Sequence, residues 1–231
     1  MKKEELIEIK KDKTGTGLLI EHDGYIKPNS QLIKESMDGE WHCPFPFVVD
    51  AVFQKADVKN ANGRIYPRKI LEREIENYQQ KIREHRALGE CNHPSDSTID
   101  LGRISHNIIE LHWEGNTVVG KLELNISEGF RRSGICSTLG DTVANLLLNG
   151  YKIGVSSRAV GSVEQKLGVL MVGDDLELIC WDVVSDPSTN NAWISMNGKE
   201  EMQTWIESKT KNSDSNDLIN EKIKNLKKIL F

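Results

Sequence analysis

Three residues of this chain have types that could together perform acyl transfer: Ser156 in Gly154-Val155-Ser156-Ser157-Arg158, His93 in Asn92-His93-Pro94, and Asp182 in Leu178-Ile179-Cys180-Trp181-Asp182-Val183-Val184. A serine hydroxyl is a poor nucleophile at neutral pH and needs a base within hydrogen-bond reach, usually an imidazole oriented by a third group. His93 can be that base. Asp182 interrupts an apolar run that reads as a buried strand, and an acid in such a place needs a reason. Residue types alone leave a plainer reading open, because adjacent serines in a strand also form simple hydroxyl ladders. Spacing along the chain says little about distance in a fold.

The elements that must position these residues follow from periodicity. Phe47 to Val58 is rich in β-branched and aromatic residues and ends at Asn60-Ala61-Asn62-Gly63, a strand followed by a turn. Pro67 opens a helix whose Ile70, Leu71, Ile75, Tyr78 and Ile82 recur mostly every three or four residues. Ile104–Leu111 and Thr117–Leu124 flank Glu114-Gly115-Asn116 and predict a hairpin. A second helix is expected over Cys136–Leu148, closed by Asn149-Gly150, and then three strands within 151–163, 167–172 and 176–185. Adjacent strand residues point to opposite faces, so only one of Ser156 and Ser157 can meet His93.

Flanking this β-weighted core, residues 1–45 are polar and turn-rich, with one short apolar run at Leu18-Leu19-Ile20, and read as a flexible arm. The core domain is expected over 46–209. Residues 199–208 read as a helix, 210–217 as a polar linker and 218–230 as a basic amphipathic tail helix.

The chain has 231 residues and a formal charge of −5, with no basic stripe of the kind that marks a dedicated nucleic-acid binder. No apolar window approaches a membrane span, and no secretory leader follows the initial lysines, so a soluble, non-secreted protein is expected. Cys43, Cys91, Cys136 and Cys180 are scattered without a C-x-x-C pair, as reduced thiols would be.

Taken in order, Asn60-x-Asn62-Gly63-Arg64-Ile65-Tyr66-Pro67, Leu88-Gly89-Glu90-x-Asn92-His93-Pro94 and Gly154-Val155-Ser156-Ser157-Arg158-x-x-Gly161 resemble the prohead core proteases of T-even-like tailed phages, which are herpesvirus-assemblin-like serine peptidases. The resemblance runs from about residue 46 to Trp193. It implies an α+β fold, a β-rich assemblin-like barrel of mixed strands with peripheral helices. It places the base on His93 and the nucleophile on Ser156, and it favours Asp182, on the strand after the nucleophile strand, as third member. His106 and Glu90 are the alternatives. Arg158, through its backbone N–H or an ordered water, and more weakly Ser157, are candidates for the oxyanion site. One departure from the family motif is Ala159, where the family has glycine; a position needing positive φ would make alanine costly there.

The resemblance further implies a maturation endopeptidase acting within the assembling prohead in the host cytoplasm. Its substrates and partners would be scaffold and capsid precursor proteins, cut after Glu with Ile or Leu two residues earlier. No cofactor, metal, nucleic acid or membrane is implied. Self-processing is expected after Glu8, Glu21 or Glu221, which follow such residues in the arm and tail. The basic tail from Lys222 to Lys228 could dock the precursor on an acidic scaffold. Arg64 and Tyr66 either shape their loop or line a substrate groove. Two other classes are open: a scaffold-binding protein of the same fold with its site unused, and a metal-dependent hydrolase built on Cys91, His93 and His106, whose spacing suits zinc poorly.

Overall fold

In the computed structural model, the structure describes residues 7–27, 41, 43–94 and 96–185. The chain divides into two compact units, Met1–Trp193 and Ile194–Phe231, and all described residues belong to the first. The expected helices over 199–208 and 218–230, the boundary near 210 and Glu221 lie outside the described residues.

Among the described residues, nine strands form one sheet, accompanied by three α-helices. They are β1 Gly15–Ile26, β2 Val48–Lys55, β3 Arg64–Ile65, β4 Leu88–Glu90, β5 Ile104–Glu114, β6 Thr117–Leu124, β7 Gly154–Lys166, β8 Val169–Val172 and β9 Glu177–Val184. The helices are α1 Arg68–Arg83, α2 Glu128–Ser133 and α3 Leu139–Leu148. The sheet order is β3-β8-β7-β1-β2-β6-β5-β4, with β9 paired to β7. The α+β, strand-rich class is as expected. The barrel is not closed by a continuous ladder: β4 and β9 approach each other, and the chain just after β4 touches β9 through the isolated bridge Cys91–Val183.

Within the arm expected over 1–45 as flexible, residues 15–26 instead form β1, an interior strand of the sheet. It pairs antiparallel with β7 from Gly15 opposite Val163 to Tyr25 opposite Gly154, and with β2 at its end. Leu18, Leu19 and Ile26 are buried. What holds this polar strand is Glu21, which is itself buried and collects the Asn60–Tyr66 motif. Asn60 Nδ2 and Asn62 Nδ2 donate to Glu21 Oε2 at 2.7 and 2.6 Å, while Arg64 Nη1 and Tyr66 OH donate to Oε1 at 2.6 and 2.9 Å. A buried carboxylate survives only when paired and hydrogen-bonded, and here these donors come from one short segment, the Asn60–Gly63 turn with β3 and Tyr66 after it. Gly63, at φ 81, permits that turn. Arg64 and Tyr66 therefore shape their loop around β1.

α1 lays Leu71, Ile75 and Tyr78 into the core and follows Pro67 as expected. Side chains of the same helix cap the backbone around β9: Glu74 Oε2 accepts from Leu178 N–H at 2.8 Å, Lys81 donates to the Leu178 and Ile179 carbonyls, and Arg73 donates to the Leu176 carbonyl. α3 starts three residues later than expected because Thr138 and Asp141 form a capping box there. Asp141 also accepts from Ser127 and Ser137, which ties α2 to α3.

Candidate active site

The β7–β9 ladder sets the site. Ser156 lies directly opposite Asp182, and Arg158 directly opposite Cys180. Residues two apart on a strand share a face, so these four side chains form one patch, while Ser157 faces the other way, paired in register with Trp181 and, across β1, with Glu21.

His93 reaches this patch from the loop after β4. Asn92 has φ 64, a left-handed conformation that asparagine tolerates better than most residues. Its N–H bonds the Val183 carbonyl at 2.8 Å. From this turn the imidazole spans the cross-strand pair: Nδ1 lies 2.8 Å from Asp182 Oδ2, and Nε2 is in contact with Ser156 Oγ. Gly89 is needed beneath, because a side chain there would overlap the His106 ring and the Trp181 carbonyl.

Protonation follows from the partners of Asp182, which is fully buried. Burial pushes its carboxyl up, but the hydrogen bond to His93, the charge of Arg158 and the Glu90 N–H outweigh that and hold it below the usual carboxylate range. An ionised carboxylate only accepts, so Nδ1 carries the imidazole proton. The lone pair of Nε2 then faces the Ser156 hydroxyl, which is the tautomer that general-base catalysis requires.

Around Asp182 a charged network is closed. Its Oδ1 accepts from Glu90 N–H at 3.0 Å and from Arg158 Nη2 at 3.3 Å, and the Cys180 thiol donates to it at 3.3 Å. Its Oδ2 lies 3.0 Å from Arg158 Nε. Glu90 Oε1 accepts from Arg158 Nη2 at 2.9 Å, and its Oε2 from Arg103 Nε at 3.1 Å.

The family model for the prohead core protein serine protease matches residues 18–204. The chain belongs to that family. It is 32% identical over 159 residues to the prohead core protein protease of Enterobacteria phage T4, covering 68% of this chain and 71% of that protein. Its fold also matches the solved structure of the bacteriophage T4 capsid assembly protease, with a TM-score of 0.60 and 26% identity over 74% of this chain and 99% of that one. The protein is thus a prohead protease of β-rich α+β fold.

Within this prohead protease fold the expected residues fall into distinct places. Ser156, His93 and Asp182 come together. His106 does not join them: its Nε2 bonds the Trp181 carbonyl at 3.1 Å and its Nδ1 pairs with the Ser105 hydroxyl at 2.9 Å. Burial pushes its pKa down to about 4, against the nearby charge of Asp182, so it is a neutral core histidine. Glu90 offers its backbone N–H to Asp182 and its carboxylate to Arg158 and Arg103, not to His93. Arg158 Nη1 donates to the Asp96 and Thr98 carbonyls and Nη2 to Glu90 and Asp182, while Ser157 points to the opposite face of the strand. Ala159 pairs with Leu19 in β1 and Leu178 in β9, outside the residues with positive φ, so the lost glycine costs no strain.

Glu21, expected as a self-cleavage position, is buried in an interior strand of the folded protein. Glu8 is exposed and forms an isolated bridge to Leu18, and Ile7 beside it is 77% exposed. The role of Glu21 was legible in principle: an acid directly after Leu18-Leu19-Ile20 poses the same question as Asp182. Cys180 and Arg103 were not singled out for the site, and the two-residue spacing of Cys180 and Asp182 was the available signal.

Proposed function

We propose that the protein is a serine endopeptidase of prohead maturation that cleaves scaffold and capsid precursor proteins inside the assembling shell. The observation that carries this reading is the His93 imidazole in contact with Ser156 Oγ on one side and Asp182 on the other. Ser156 Oγ attacks the scissile carbonyl as His93 Nε2 takes its proton, and Asp182 stabilises the imidazolium so formed. The tetrahedral intermediate collapses as His93 returns the proton to the leaving amine. Water then repeats the sequence on the acyl-enzyme.

Cleavage after Glu, with Ile or Leu two residues before it, is carried over from the family resemblance. The chain carries Leu6-Ile7-Glu8, and its Ile7 and Glu8 are exposed, which suits self-processing there. Confinement with substrate in one shell supplies a high effective concentration, so modest turnover suffices.

The test is to incubate wild-type, Ser156→Ala and Ser157→Ala proteins with a peptide containing Ile-x-Glu and read products by mass spectrometry. Loss of cleavage in Ser156→Ala alone supports the reading. Equal activity of Ser156→Ala and wild type overturns it, and a folded wild type that cuts nothing favours a scaffold-binding protein with an unused site.

A further inference from the structure

We propose that Arg158 is a positioning residue of this site: its buried guanidinium fixes the Asp182 carboxylate and the His93 loop together, acting on the reaction through Asp182 without touching substrate. The inference rests on the Ser156–His93–Asp182 reading and goes beyond it.

Arg158 is fully buried two residues after Ser156, on the same face of β7. Its Nη2 donates to Asp182 Oδ1 at 3.3 Å, and its Nε lies 3.0 Å from Asp182 Oδ2 as an ion pair, so the guanidinium charge sits against both carboxylate oxygens. Its Nη1 donates to the carbonyls of Asp96 and Thr98 at 2.8 and 3.3 Å, within the loop that follows His93. One planar group thus joins the nucleophile strand, the acid strand and the base loop. Lysine, a single point of charge, cannot make these contacts at once.

The titratable and charged groups facing Asp182 come from several elements: Arg158 on β7, Glu90 on β4 with Arg103 behind it, His93 on its loop, the neutral Cys180 thiol on β9, and, within electrostatic reach, the neutral Tyr78 on α1 and His106 on β5. Glu90 and Asp182 are two buried carboxylates sharing Arg158 Nη2. Without the guanidinium the two carboxylates repel each other uncompensated, and Asp182 loses one of the charges that hold its carboxyl ionised. The hydrogen bond that sets the His93 tautomer is then lost or weakened.

The experiment is a double-mutant cycle of Arg158→Met with Asp182→Ala, read by peptide cleavage, with the low-field Nδ1–H proton resonance of His93 as spectroscopic signature. Arg158→Met should lower kcat about 100-fold with little change in KM, displace that resonance, and add less than about 3-fold to the loss in Asp182→Ala. Arg158→Lys should fall between wild type and Arg158→Met, and supplies the same comparison if the methionine variant does not fold. Additive losses, or an unmoved resonance with normal kcat, overturn the proposal. Full activity of Asp182→Ala would instead overturn the underlying triad reading, which keeps the two failures distinct.

Discussion

Ser156 and Asp182 are direct cross-strand partners on β7 and β9, and one imidazole bridges them. Nucleophile and acid are therefore held by backbone pairing within a single sheet, and only the base depends on a loop. The relative position of the first two resists local motion, because slipping the ladder by one residue would turn every side chain of β9 to the other face.

Asp182→Asn should keep the fold, since the amide is nearly isosteric, yet cut kcat by about 10,000-fold by disturbing the imidazole tautomer. Steady-state kinetics beside a thermal melt checks this. A loss smaller than about 10-fold would mean that His93 needs no acid, leaving Asp182 a structural role.

Glu21→Ala should destabilise the folded protein by about 3–5 kcal/mol, because it leaves Arg64 buried without its carboxylate. Urea denaturation with an unchanged m-value is the measurement. A midpoint like that of wild type would show that the Asn60–Tyr66 turn holds without its acid.

Asp141 provides an acid-side stability window. Burial alone would raise its pKa, but N–H groups of Ser137, Ser127 and Thr138 and the Ser127 hydroxyl bring it down to about 2 from the ordinary 3.8. A depressed folded pKa contributes stability that is present above the unfolded value and lost as pH falls through the folded one. Stability should therefore decline between about pH 4 and pH 2. Asp141→Asn should flatten that part of the curve, and an unchanged slope in a pH series of urea melts would assign the decline to other carboxylates.

On the proposed specificity, active protein should begin at Ile9 and should not be cut after Glu21 while folded. Terminal sequencing with and without a denaturant pulse checks this. A native product beginning at His22 would contradict the burial of β1.

Most elements were legible as periodic patterns: β2, α1, the β5–β6 hairpin and β7 to β9 stand where alternation and helical spacing put them. β1 was not, because three apolar residues amid Gly, Thr and Asp carry little local signal, and the clamp that holds it comes from residues about forty positions away. The short α2 lies in a segment with no recognisable pattern, although Ser127 caps it. Ser156 and Asp182 could be nominated from the chain, and the family motif favours Ser156 over Ser157, but that Ser156 shares a face with Asp182 follows only from the ladder register. The aim of His93 rests on one left-handed residue, Asn92. Neither is a property of composition.

The capping of β9 by Arg73, Glu74 and Lys81 has a consequence for recognition. Many proteins read an extended peptide by letting it add to an open sheet edge, and an uncovered edge also invites unwanted pairing among crowded chains. Along Leu176 to Ile179 the helix side chains already occupy backbone positions, and Asn92 occupies the Val183 carbonyl. The acid-bearing strand is thereby insulated: these stretches are closed to a guest polypeptide, and the peptide to be cut must find its docking register elsewhere.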